Sequence, residues 1–155
     1  MKRPLPAFVR LVLLPALLGT ALTSAALLVP HAGWTTHDVT TGQSADYPDL
    51  QTHDYDASPP NALAVAAAEA SRLPGWKAVH RDPVRGTLDA EVRRLGSFFT
   101  DDVTVSVTPT GANGDSARVS IRSRSRGGGG DLGANARHIR ALQAAMDGRL
   151  PTLPH

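Results

Sequence analysis

The chain opens on a run of 19 uncharged positions, Leu11 to Val29, before any periodic alternation of apolar and polar residues begins. As a helix rising about 1.5 Å per residue, this run would span about 28 Å, close to the roughly 30 Å hydrocarbon core of a bilayer. Lys2, Arg3 and Arg10 flank its amino side. Basic residues on that side hold the amino end in the cytoplasm and send the following chain across the membrane. The alternative is a signal peptide cleaved after the small residues Ser24-Ala25-Ala26. The run exceeds the usual apolar region of about 7–15 residues, which favours an uncleaved anchor. Residues 1–30 are therefore expected to be an anchor or signal segment, with the rest outside the cytoplasm at the cell membrane, or periplasmic or secreted after cleavage.

Residues 31–46 are rich in Thr, Gly, Ser and His and show no period, which predicts a linker. A single domain is expected over 47–150. Leu50 to Asp56 predicts a first strand. Ser58-Pro59-Pro60 then marks a helix start, because serine caps free amides and proline tolerates the first helical position. Leu63, Ala66, Ala67, Ala70 and Leu73 recur at helical spacing until Pro74-Gly75 stops the run. This mostly alanine face predicts close approach of the helix to a sheet.

Four strand-like segments follow. Trp76 to Arg81 ends at the turn Asp82-Pro83-Val84-Arg85-Gly86. Thr87 to Leu95 places Leu88, Ala90 and Val92 on one face, and Asp102 to Thr108 does the same with Val103, Val105 and Val107. Asn113-Gly114 sits in a turn before Arg118 to Arg126. Strict alternation means that one sheet face is buried and the other is wet. After Gly127 to Gly130, Asp131 caps a second helix, in which Leu132, Asn135, Ile139, Leu142 and Met146 form a stripe ended by Gly148 and Pro151. The order β-α-β-β-β-β-α predicts an α+β fold: an antiparallel sheet of four to five strands, two helices on one face, and the N-terminal apolar helix ahead of it. Trp76, Phe98 and Phe99 are expected in the core.

Composition narrows the chemistry. The absence of cysteine excludes disulfides, thiolate catalysis and a lipidated cysteine. The net charge of +2 conceals an asymmetry. Residues 30–117 carry 6 bases and 12 acids, net −6, whereas 118–155 carry 7 arginines against Asp131 and Asp147, net +5. The asymmetry suits internal pairing between the two halves, or an anionic partner, better than nucleic acid.

Two groups of residues stand out. On a strand, Arg118, Arg122, Arg124 and Arg126 share one side, opposite Val119 and Ile121. The strand continues through four glycines to a helix start, where backbone amides favour anions. Arg122, Arg124, Ser125, Arg126, Asp131, Asn135, Arg137 and His138 form the candidate ligand site; a solvated arginine face beside a loop is the plainer alternative. Asp101 and Asp102 form a candidate polar network. Asp102 should join the polar face and Asp101 turn toward the loop or helix layer, and Asp101 or Asp102 should pair with an arginine of the last strand or helix. The six histidines show no metal-ligand spacing, and Leu95-Gly96-Ser97-Phe98-Phe99 lacks the second glycine of a nucleophile elbow. No cofactor or metal is expected.

Several segments together resemble the bacterial family known as domain of unknown function 1499. They are HDVTT (37–41), YPDLQ (47–51), the Trp76 strand ending in Asp82-Pro83, FTDDV (99–103) and RSRSRGGGGDLGANARHI (122–139). Arg122, Ser123, Ser125, Arg126, Gly128, Asp131, Leu132, Gly133, Asn135 and Ile139 match the family pattern in place. His138 stands where the family usually has arginine. The resemblance implies an exported or membrane-associated setting and supplies no reaction. The expectation for function is a membrane-anchored, non-enzymatic envelope module binding a protein or an anionic ligand, or serving a structural role. The alternative is a hydrolase-like enzyme using Asp101, Asp102, His138 and nearby arginines.

Overall fold

The computed structural model describes residues 36–94, 98–127 and 131–154; the apolar run Leu11–Val29 and its expected helix lie outside them. Seven strands and two helices follow in the order β1 (Asp38–Thr40), β2 (His53–Tyr55), α1 (Pro59–Ala70), β3 (Trp76–Asp82), β4 (Thr87–Arg94), β5 (Phe99–Thr110), β6 (Ser116–Ser125), α2 (Ala134–Asp147) and β7 (Thr152–Leu153). All pair antiparallel in one sheet of order β3-β4-β5-β6-β2-β7, and β1 shares the edge of β6 with β2. The α+β class and the two helices stand as expected. The sheet has seven strands where four to five were expected.

The extra strands are short ones whose sequence carries no alternation. β1 falls inside the expected linker, which is therefore ordered from residue 38. Val39 is buried, and Thr41 locks the segment by exchanging bonds with Ile121: its backbone N donates to the Ile121 carbonyl at 3.0 Å, and its Oγ1 accepts from Ile121 N at 3.0 Å. β7 has two residues and pairs with Asp54 and Tyr55. Its order comes from tertiary pairing rather than local preference.

The core lies between one sheet face and the helices. Leu88, Ala90 and Val92 of β4, Val103, Val105 and Val107 of β5, and Val119 and Ile121 of β6 are all buried there. Alternation places each set on one face, as the sequence predicts. Ala62, Leu63, Ala66 and Ala70 of α1 pack against them, as do Ile139, Leu142 and Met146 of α2. Ser58 makes no side-chain cap on α1; the helix starts instead with prolines at its first positions and with its Ala62 N donating to the Ser58 carbonyl. Asp131 does hold the start of α2, its carboxylate accepting from Gly133 N at 2.8 Å and Asn135 N at 2.7 Å.

The β3–β4 turn needs its glycine. Gly86 has φ +67°, and a Cβ there would stand 2.5 Å from the Val107 carbonyl oxygen. Asp82 Oδ1 closes the same turn by accepting from Val84 N and Arg85 N, both at 3.0 Å.

Trp76 is partly buried and packs on the core, but Phe98 and Phe99 do not belong to it. Phe98 is 88% exposed and Phe99 52% exposed. Phe99 shares the parity of Asp101 and Val103, yet it is the first residue of β5, at the outer end of that buried row.

Candidate polar site at the end of the sheet

The sheet divides the sequence-predicted residues into two groups on opposite faces. On the outer face, three of the four arginines on and just after β6 meet carboxylates from a neighbouring strand. Arg118 grips Asp54 of β2 through Nε (2.8 Å) and Nη2 (2.7 Å), and Arg122 grips Asp38 of β1 through Nε (2.9 Å) and Nη2 (2.5 Å). Arg126 reaches Asp102 (2.6 Å) and Glu91 (2.5 Å). Arg124 lies between Asp38 and Asp102 in the register and makes no ion pair among the described residues. Hydrogen bonding from Arg122 holds the Asp38 carboxyl below its ordinary range. The acidic first half and the basic last part of the chain thus neutralise one another across strands, the plainer outcome of the charge asymmetry.

Asp101 faces inward and is fully buried. Arg94 Nη2 donates to its Oδ1 at 2.9 Å, and Arg94 Nε meets Oδ2. Ser125 Oγ donates to the same Oδ1 at 2.8 Å and accepts from Asn135 Nδ2 at 3.1 Å. Asn135 Nδ2 also reaches the His37 carbonyl at 3.2 Å, while Ser123 Oγ donates to Asn135 Oδ1 at 2.6 Å. His138 completes the cluster, its Nδ1 being 3.3 Å from Ser123 Oγ and 3.6 Å from Asp101 Oδ2, with the Trp76 ring edge-on at 5.9 Å. Buried polar groups need such partners, and here each links β1, β4, β5, β6 and α2.

Of the sequence-predicted residues, Asp101, Ser125, Asn135 and His138 converge, and Asp131 sits just behind as the helix cap. Arg122, Arg124, Arg126 and Asp102 belong to the other face. Arg137 is exposed, and its Nη1 donates to the Leu132 carbonyl at 2.9 Å. Arg94 and Ser123 were missed. Both were legible: Arg94 continues the inward parity of Leu88, Ala90 and Val92, and Ser123 that of Val119 and Ile121.

A Ser-His-Asp grouping of this kind invites comparison with a nucleophile relay, and the geometry does not form one. A relay needs serine on one imidazole nitrogen and carboxylate on the other. Here Ser123 and Asp101 face the same Nδ1, and Ser123 is fully buried. Burial also lowers the His138 pKa and keeps the ring neutral. The cluster holds elements together.

Where it reaches the surface, it opens into a cavity of about 320 Å³ walled by Arg94, Phe98, Phe99, Thr100 and Gly127. The Arg94 guanidinium stacks 5.6 Å from the Phe99 ring centroid. Its Nη1 makes no hydrogen bond among the described residues. A larger, shallower concavity of about 570 Å³ lies on the outer face among Asp38, Thr40, Thr104, Ser106, Ser120 and Arg122, and no aromatic or apolar wall lines it. No group of three or more metal-ligating side chains occurs among the described residues.

Residues 31–146 match the family described as Protein of unknown function (DUF1499). The chain belongs to this family. No curated protein matches it in sequence. Among solved structures, the fold is similar to that of a START superfamily protein from Mycobacterium smegmatis, with a TM-score of 0.51 and 12% identity over 74% of this chain and 97% of that one. Weaker likenesses are to the di-domain ARO/CYC StfQ of the steffimycin biosynthetic pathway (TM-score 0.47, 11% identity, 72% of this chain and 43% of that one) and to a protein of Thermus thermophilus (TM-score 0.44, 10% identity, 72% and 95%). The chain thus has an α+β fold similar to that of the START superfamily protein. Among the described residues no helix is long and apolar enough to cross a membrane.

Proposed function

We propose that the protein is a non-enzymatic binding module, tethered outside the cytoplasm by the apolar run Leu11–Val29, that takes a small ligand in the cavity beside Arg94. The observation that carries this reading is the construction of the cavity wall. Arg94 is fixed from behind by Asp101 and Ser125, stacks on Phe99, and makes no hydrogen bond through Nη1 among the described residues. A pre-positioned donor beside an aromatic wall is how small-molecule sites set orientation and supply contact area. Asp101 already balances the charge of Arg94, and Asp102 and Glu91 balance Arg126. The complementary ligand therefore presents a hydrogen-bond acceptor to Arg94 and a flat apolar part to Phe98 and Phe99, without needing high charge. The resemblance to a START superfamily protein supports a ligand-binding fold, and the 19-residue uncharged run supports anchorage.

Native mass spectrometry of the full chain, purified from its host membrane in detergent, should detect a bound small molecule. That mass should be lost from Phe99→Ala, a change at a half-exposed side chain that leaves the buried cluster intact. A wild-type chain carrying nothing, or a Phe99→Ala chain retaining the same mass, would remove the cavity from consideration.

A further inference from the structure

The entry of the chain and the exposed apolar side chains meet at one end of the fold. Antiparallel pairing brings the start of β1, the end of β4, the start of β5 and the end of β6 together: Asp38 faces Arg124, Arg94 faces Phe99, and Asp101 faces Ser125. Ser125 N donates to the His37 carbonyl at 2.9 Å, which fixes the entry of the chain at this end. Three of the five exposed large apolar residues among the described ones stand here: Phe98 (88%), Phe99 (52%) and Leu132 (67%). Of the other two, Val79 is on edge strand β3 and Val84 in the β3–β4 turn at the far end. Exposed aromatic and leucine side chains grouped together mark an interaction surface more than scattered ones do.

Charge points the same way. Arg93, Arg124 and Arg137 are exposed, lie at this end, and make no carboxylate ion pair among the described residues, although Arg124 stands between Asp38 and Asp102 and shares their charge. Apolar side chains set among exposed arginines are the composition of surfaces that settle into an anionic lipid interface. The covalent reach is short as well. Six residues, 30–35, separate Val29 from Thr36, and the seven steps between them, at about 3.5 Å each, extend no more than about 25 Å.

We infer that this end of the domain docks on the bilayer holding its own anchor, with Phe98 and Leu132 entering the lipid interface and Arg93, Arg124 and Arg137 meeting anionic headgroups. The inference rests on the proposed anchorage. It does not depend on the cavity having a ligand.

Absence of cysteine makes the test direct. Gly127→Cys places a thiol at the chain-entry end, where a Cβ meets nothing within 4 Å, and Ala112→Cys places one on the exposed β5–β6 hairpin at the opposite end. Each full-length variant is spin-labelled and reconstituted into vesicles of phosphatidylglycerol and phosphatidylcholine. Collision rates are then measured with oxygen, which concentrates in lipid, and with a water-soluble nickel chelate. The label at 127 should favour oxygen over nickel several-fold more than the label at 112. Phe98→Ser with Leu132→Ser should abolish that difference, and vesicles of phosphatidylcholine alone should reduce it. Chains that float with vesicles but show equal, aqueous rates at 127 and 112 overturn the docking and leave the anchorage standing. Chains that fail to float overturn both. A preference at 127 that survives the double serine change assigns the effect to the label and overturns the role of the apolar pair.

Discussion

Arg94 Nη2 donates to Asp101 Oδ1 at 2.9 Å, and the carboxylate it meets has no exposed surface. Removing one member of such a pair leaves an uncompensated charge in the interior, which costs about 3–5 kcal/mol. Arg94→Leu should therefore lower stability by about that amount. Arg94→Leu combined with Asp101→Asn should be more stable than Arg94→Leu alone, because the charge leaves with its partner. Urea unfolding of the three chains measures this, and a single-variant loss below about 1 kcal/mol would show that water or another group serves Asp101.

The outer-face pairs should behave differently. Arg122 is half exposed and Asp38 about a third exposed, so solvent screening leaves the pair worth under about 1 kcal/mol. The Asp38 carboxyl is held below its ordinary value by the Arg122 hydrogen bond. Such a group contributes stability above the unfolded carboxyl pKa, and that contribution is lost as pH falls through the folded one. Arg122→Ala should thus cost little at pH 7, and the gap to the parent chain should close below about pH 4. Denaturation midpoints at pH 7 and pH 3 supply the comparison; a gap that widens in acid would contradict the pairing.

His138 gives a dependence of the same sign, in a higher pH window. Burial lowers its pKa below the ordinary 6.5, so the folded state binds its proton less readily than the unfolded chain. Above 6.5 the ring is neutral in both states and contributes no slope; below it, stability falls progressively until the folded pKa is reached. His138→Gln should flatten stability between pH 7.5 and 5.5 relative to the parent. Direct titration of the ring by NMR should place its midpoint below the ordinary 6.5. A midpoint above 6.5 would mean that Asp101 outweighs burial.

At Gly86, both the positive φ and the 2.5 Å approach to the Val107 carbonyl resist a side chain. Gly86→Ala should destabilise by more than about 1 kcal/mol, whereas Gly127→Ala, in open space, should change stability by under about 0.5 kcal/mol. Thermal unfolding of both variants decides the point.

The long elements were legible because their periods are local. The valines of β5, the alternating Arg and Ser of β6 and the helical spacing of α1 and α2 announce themselves in the sequence. β1 and β7 have three and two residues, too short to display a period, and they are ordered by the edges they join, whereas β2 lies within the strand expected over Leu50 to Asp56. The candidate site divided along the same line. Opposite facing of Asp101 and Asp102 follows from strand geometry. Arg94 as the partner of Asp101 required the β4–β5 register, which brings Val92 opposite Asp101 and Arg94 opposite Phe99. Phe98 and Phe99 were misplaced because hydrophobicity alone says nothing about where a strand outruns the helices that cover it.

The seating of β1 against β6 sets an order of assembly. Asp38 and Arg122 are 84 positions apart, and β2 is held between β6 and β7, so the earliest strands find their places only after the latest ones have emerged. During synthesis, the first two strands of this domain remain without their neighbours until almost the whole polypeptide is available. Completion of the sheet is therefore a closing act shared by both ends of the domain, and a chain truncated just before residue 116 would have no edge on which its first two strands could settle.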